Sequence, residues 1–274
     1  MSDPLSPDSP ADRSSGAIDR SRPHSARVWN YLLGGKDNYP VDRVIGDKII
    51  EAFPGIAHIA RAQRYFLARA VRFLAGEVGI RQFLDVGTGL PTVDNTHEVA
   101  QRVAPECRIV YVDNDPLVLA HARALLTSTP QGACAYIDAD VRDPEKILTE
   151  AAKTLDFSKP VALMMLGIMG QIPDSDDPDG IIRRLLAALP SGSYLACSDG
   201  TDTNETLNQA IAAYNATSAS SYHLRSPDRI AQFFDGLELV EPGVVVTARW
   251  RPDLVQLDET PPPVDAICGV ARKP

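Results

Sequence analysis

The sequence predicts an α/β protein built on a mostly parallel sheet. Three observations predict it. From about residue 80, short apolar runs alternate with amphipathic stretches at the spacing of right-handed βαβ crossovers. Val161 to Ile168 is almost continuously apolar, as a central strand covered on both faces should be. The run Gln82-Phe83-Leu84 leads directly into Asp85-Val86-Gly87-Thr88-Gly89, an acid and a glycine turn where a strand ends.

The elements follow in order. Residues 1–24 are rich in Ser, Pro, Asp and Arg with almost no large apolar side chains, so burial cannot offset ordering and a disordered tail is expected. Ala26 to Leu33 reads as a short apolar helix stopped by Gly34-Gly35. A polar turn, Lys36 to Pro40, leads to a second helix from Val41 to Phe53, closed by Pro54-Gly55. Ile59, Phe66, Leu67, Ala70, Val71 and Leu74 fall near helical spacing and predict a long amphipathic helix over 56–77. Strands are expected at 81–86, 109–113, 134–138, 160–166 and 193–198, and helices near 95–103, 116–126, 143–153 and 179–189. Residues 201–225 read as a helix plus a loop, and 227–234 as a short helix. Strand follows at 237–240 with 244–250, broken at Pro242-Gly243, and a last strand at 266–271. That makes seven strands, with a hairpin-like antiparallel end. The expected divisions are a tail, 1–24, a helical cap, 25–79, and a ligand-binding domain, 80–274.

Composition narrows the partners. The 274 residues are 44% hydrophobic and carry a formal net charge of −9. An acidic chain lacks the positive field that draws phosphate backbones, so nucleic acid is not an expected partner. No apolar run reaches the roughly 18 residues that a membrane helix needs, and no secretory signal opens the chain. The four cysteines form no Cys-x-x-Cys pair and sit mostly in apolar runs, which reads as reduced thiols in a cytoplasmic protein, with no zinc site.

The candidate site lies at the strand ends. Gly87 and Gly89 can take backbone angles closed to other residues and leave the backbone bare to a ligand around Thr88. Asp85 suits a cationic amino group; its alternative is to cap a local turn. Asp113 ends the second strand, about 28 residues on, where a carboxylate grips a ribose diol. Asn114 follows, and Asp115 before Pro116 reads as a helix cap. After the third strand, Asp140 and the Val141 amide suit an adenine edge, or Asp140 is one of several acids near a helix start that Asp143 caps best. A glycine turn with a ribose acid points to an adenosine-containing cofactor. The third glycine of the dinucleotide fingerprint is missing, since Leu90-Pro91-Thr92 follows, and this counts against NAD and FAD.

In this order the strand ends resemble class I S-adenosylmethionine-dependent methyltransferases over about residues 80–272. A narrower likeness covers nearly the whole chain. Ala26 to Tyr39, Gln82 to Thr92, Asn95-Thr96-His97-Glu98 and Phe233 to Leu237 resemble a bacterial family of S-adenosyl methyltransferases. The resemblance implies a Rossmann-like class I fold with an N-terminal helical lid. It also implies S-adenosyl-L-methionine as cofactor and methyl transfer to an acceptor, which we expect to be a small molecule. Tyr39 would then line the sulfonium and Arg64 pair with the cofactor's carboxylate; their alternatives are an ordinary turn and a solvated helix face. One departure is Ile168-Met169-Gly170-Gln171 after the fourth strand, where relatives often carry Leu-His-aromatic. Without that histidine, a base-free reaction or an acceptor with a low-pKa nucleophile is expected; among the histidines, His223 in the loop after strand five is the best candidate for a base, and the catalytic residues are otherwise unassigned. A non-catalytic S-adenosylmethionine-binding regulator is the alternative reading.

Overall fold

The computed structural model describes residues 19–125, 127–217, 221–253 and 264–274. Three helices come first: α1 Ser25–Leu32, α2 Pro40–Ala52 and α3 Ile56–Arg72, the last prolonged by a wider π turn, Phe73–Val78. Strands and helices then alternate. They are β1 Gln82–Val86, α4 Thr96–Val103, β2 Arg108–Asp113, α5 Pro116–Leu125, β3 Ala133–Asp138, α6 Pro144–Ala151, β4 Ala162–Leu166, α7 Pro178–Ala187 and β5 Tyr194–Gly200. The chain ends with α8 Glu205–Thr217, α9 Pro227–Ala231, β6 Glu238–Leu239, β7 Val245–Val246 and β8 Ala266–Arg272.

The sheet runs β3-β2-β1-β4-β5-β8-β6, with β7 also on β8. The first five strands are parallel and β8 is antiparallel to β5. Period-two alternation sends side chains to opposite faces. Phe83, Ile109, Tyr111 and Met164 pack under α3 and α4 with Phe66 and Val99. Leu84, Val86, Val110 and Leu163 pack against Ile147 of α6, Ile181 of α7 and Ile230 of α9. Helix α3 therefore shares a core with the sheet, and the expected boundary at 79/80 runs through that core.

Two expectations need correction. The sixth strand, expected at 237–240 and 244–250, is two short pieces on one side of β8, so the described residues form eight strands instead of seven. Strand character ends at Val246, and residues 247–249 form a 3-10 turn. Arg69 of α3 causes the departure: its guanidinium donates to Thr247 O at 2.7 Å and Trp250 O at 2.8 Å, drawing this segment onto the helix. Trp250 then lies fully buried, edge-on to Phe66 and Phe73. The second correction concerns the tail. Residues 1–18 lie outside the described residues, but 19–24 are held in place. Arg27, 4% exposed, donates to Asp19 O at 3.0 Å and Arg22 O at 2.6 Å. A buried guanidinium needs acceptors, and backbone carbonyls supply them without periodic sequence pattern.

Among the described residues, no helix is long and apolar enough to cross a membrane.

Candidate functional site

Strands β1 to β4 end at one rim, and the turns after them border a cavity of about 280 Å³. Its other walls come from α1, α3 and α8 and from the 19–24 segment. The sequence-predicted residues Asp85, Gly87, Thr88, Gly89, Asp113, Asn114, Asp140, Val141 and Arg64 all line it.

Asp85 is buried near the end of β1, and its Oδ2 accepts from Thr96 Oγ1 at 2.6 Å. Burial lifts its carboxyl to about 6, against the Thr96 hydrogen bond and the Arg64 charge. Arg64 reaches from α3 and donates to Val93 O and Asp94 O at 3.0 and 3.1 Å. Burial lowers its pKa, and Asp85 is the first charge that offsets the loss. An anion and a cation thus share one end of the cavity.

The two glycines play different parts. Gly87 has φ +76°, and a Cβ there would come within 2.6 Å of the Ile168 side chain. Gly89 has φ +66° but would meet nothing within 4 Å, so its bare face opens on the cavity. The amides of Gly87 and Thr88 donate to Val112 O at 2.9 and 3.2 Å and tie the turn to β2. Gly87→Ala should therefore cost stability, about 1–2 kcal/mol from strain and crowding. Gly89→Ala should cost the strain of its positive φ without the crowding, so less stability is lost and the larger effect falls on ligand binding. Paired denaturant titrations and calorimetry would show the contrast; equal stability losses with unchanged binding would refute it.

Asp113 ends β2 and is 8% exposed. Its Oδ2 accepts from the Gly89 amide and its Oδ1 from the Asp115 amide, both at 2.9 Å. Burial raises its carboxyl, against those two hydrogen bonds. Each oxygen keeps a lone pair for a further donor. Asp115 caps α5 through the Leu117 amide at 2.8 Å, and its Oδ2 lies 2.9 Å from His24 Nδ1. The neighbouring acid is less free than its position suggested. Asp140 pairs with Arg142 at 3.0 Å and accepts from Asn114 Nδ2 at 3.1 Å.

Two expected site residues lie elsewhere. Tyr39 does not line the cavity. As the residue before Pro40 at the start of α2, it turns its ring toward Leu90, Leu117 and Val118. Arg20 and Arg27 stand over that ring at 5.2 and 5.3 Å, so the chain's own cations take the aromatic face. His223 is also displaced. Its Nε2 lies 2.8 Å from Ser221 Oγ, and it borders a separate shallow pocket with Asp202 and Asn208. Its backbone amide donates to Gly170 O at 2.7 Å, and it is not among the residues that line the main cavity.

Other residues enter the site unannounced. His24 lines the cavity from the segment expected to be disordered. Gln63 lines it from α3; its Nε2 is buried with no partner, and its Oε1 would lie 2.7 Å from a Cβ on Gly167. The available signal was a lone amide on the apolar face of α3, between Ile59 and Phe66. Asp199, at the end of β5, does not line the cavity but stands behind it, accepting from the hydroxyl of the lining residue Tyr222 and from the Gly170 amide at 2.6 Å. Its signal was Asp199-Gly200, an acid and glycine at a strand end, as at Asp85 and Gly87. Arg225 donates to Met169 O at 2.8 Å and Ile172 O at 2.5 Å. The loop after β4 is thus pinned from both sides, with Met169 fully buried. Among the described residues, no group of three or more His, Cys, Asp or Glu is placed to hold a metal ion.

Comparisons with known proteins agree with this geometry. The chain matches the family model of S-adenosyl methyltransferases over residues 11–274. It is similar to a DUF574-family protein from Streptomyces avermitilis, 47% identical, TM-score 0.90, over 94% of this chain and 100% of that one. It is also similar to a candidate methyltransferase from Thermobifida fusca, 44% identical, TM-score 0.85, over 93% and 97% of the two chains. The plantazolicin methyltransferase BpumL, 11% identical with TM-score 0.50 over 91% and 96%, shares the fold alone. No curated protein matches the chain. A class I sheet, a glycine turn facing two strand-end acids and a family match over nearly the whole length agree: this chain belongs to the S-adenosyl methyltransferase family, whose methyl donor is S-adenosylmethionine.

Proposed function

We propose that the cavity holds S-adenosylmethionine along the strand ends and that the methyl acceptor is a small molecule. The observation that carries this is Asp113, buried beside the open face of Gly89 with both oxygens already oriented by backbone amides. That arrangement presents two acceptor sites to a ribose diol with little left to reorganise. Asp85 would take the amino group and Arg64 the carboxylate of the amino-acid end. Asp140 would be offered to the adenine edge only in part, because Arg142 already holds it, and Val141 would supply a wall. The unpartnered Gln63 Nε2 is a further donor, on a residue that lines the same space.

Bound there, S-adenosylmethionine supplies an electrophilic methyl carbon on a sulfonium. The chain's part is to hold donor and acceptor in line and to keep water out, and orientation of this kind is worth roughly 7–11 kcal/mol at best. The 19–24 segment, anchored through Arg27 and His24, closes the ribose side. The α1 and α3 walls restrict entry, which favours a small acceptor over a folded macromolecule. The four free cysteines suit a reducing cytoplasm.

A second reading is a regulator that binds the cofactor without turnover. It is favoured by Met169, fully buried at the place where the resemblance to class I methyltransferases leads us to look for a histidine. Isothermal titration with S-adenosylmethionine and S-adenosylhomocysteine should give saturable one-to-one binding of both. Turnover on an acceptor panel then separates enzyme from regulator. No heat with either compound, alongside saturable binding of NADH, would overturn the cofactor reading.

A further inference from the structure

The cavity is divided by polarity. His24, Arg64, Asp85, Asp113, Asp140 and Arg142 gather at the strand ends, the start of α1 and the neighbouring turn of α3. The remaining wall has another character. Trp29 of α1 and Leu33 just after it, Ile59 of α3, Leu207 and Ile211 of α8, and Leu224 line it, and all belong to one apolar cluster. Among the described residues, no charged side chain of α1, α2 or α8 lines the cavity. Leu207 is 1% and Ile59 3% exposed, so this wall is fixed by packing.

A methyl acceptor must lie beside the sulfonium, and the charged half is spoken for by the nucleoside and amino-acid groups. An ion placed in the apolar half would lose its hydration and find no counter-charge. A neutral body would exchange water for matching apolar surface. One polar demand remains at the junction of the halves. Gln63 Nε2 is buried and lacks an acceptor, and a buried amide donor is costly to leave unmade. An oxygen on the acceptor would satisfy it.

We propose that the apolar half is the acceptor subsite, and that it takes a neutral molecule with an aromatic or comparably compact hydrocarbon body, whose single hydroxyl oxygen accepts from Gln63 Nε2. The assignment rests on the cofactor reading above, because it places the acceptor in the space that reading leaves. Specificity then comes from the absence of any charge on the α1, α2 and α8 walls. Gln63 sets which end of the molecule faces the rim.

The test uses three phenols of similar size that differ in charge: 4-ethylphenol, 4-hydroxyphenylacetate and tyramine. Calorimetry first measures S-adenosylhomocysteine on the whole protein; failure at that step sinks the cofactor reading and leaves the apolar half still testable on the free protein. On the loaded protein, 4-ethylphenol is expected to bind at least tenfold more tightly than either ion. Ile211→Glu should lower 4-ethylphenol affinity tenfold or more and leave S-adenosylhomocysteine within twofold. Gln63→Leu should weaken 4-ethylphenol severalfold while 1-ethyl-4-methylbenzene, which lacks the hydroxyl, binds as well or better. Equal or tighter binding of an ion, or no binding of 4-ethylphenol to protein that holds S-adenosylhomocysteine, overturns the proposal. If Gln63→Leu weakens both neutral compounds equally, the hydroxyl contact is wrong.

Discussion

Asp85→Asn is expected to make the ligand-free protein more stable at pH 7.5 and to weaken S-adenosylhomocysteine about a hundredfold, near 2.7 kcal/mol. Burial holds the Asp85 carboxyl at about 6 in the fold, above its ordinary value. A raised acid contributes stability that is fully present below its unfolded pKa, about 4, and lost as pH rises through about 6. At pH 7.5 the buried anion is therefore a burden on the empty protein, and the neutral amide relieves part of it, about 1–2 kcal/mol. Asparagine can still accept from Thr96, so the turn keeps its support. Binding moves the other way, because a cationic amino group needs the anion. Wild-type affinity should fall as pH drops below about 6, and the variant's profile should be flat across that range. Thermal melts and calorimetry between pH 5 and 8 measure both. A lower melting temperature together with unchanged affinity would remove Asp85 from this role.

Asp113→Ala should weaken the same ligand tenfold to a hundredfold, and its cause can be isolated. A charge-assisted hydrogen bond contributes about 1.5–3 kcal/mol, and the ribose would make more than one. The substitution also deprives the Gly89 and Asp115 amides of their acceptor, so some loss comes from the turn alone. A cycle with the analogue of S-adenosylhomocysteine that lacks the ribose 2′-hydroxyl separates the two. The penalty should shrink severalfold for that analogue if the carboxylate holds the diol. A penalty of the same size for both ligands would mean that Asp113 only supports the turn.

Gln63 and His24, and Asp199 behind them, show why part of the site and its support was hidden in the sequence. Each gains its position from residues far along the chain. His24 meets Asp115, Gln63 lies against Gly167, and Asp199 accepts from Tyr222. Such pairings leave no periodic mark, and a histidine in a Ser- and Pro-rich stretch resembles any other. Tyr39 and Asp140 are found with cationic partners of their own, for a related reason. Both had the right chemistry and place in the chain, but Arg20, Arg27 and Arg142 reach them first. The 244–250 segment has a β-rich composition, yet two hydrogen bonds from Arg69 on α3 outweigh it.

The amino-acid order by itself determined the alternation of strands and helices, the antiparallel end, the glycine turn at 87–89 and the acids at the ends of β1 and β2. These depend on neighbours: side-chain periodicity sets which face is buried, and a positive φ demands glycine within the turn itself. The tertiary structure alone decided which side chains share the cavity, which of its acids are already paired, and that one half of its wall carries charge while the other is apolar. Those outcomes belong to three-dimensional packing, where a carboxylate takes whichever cation the fold brings within reach.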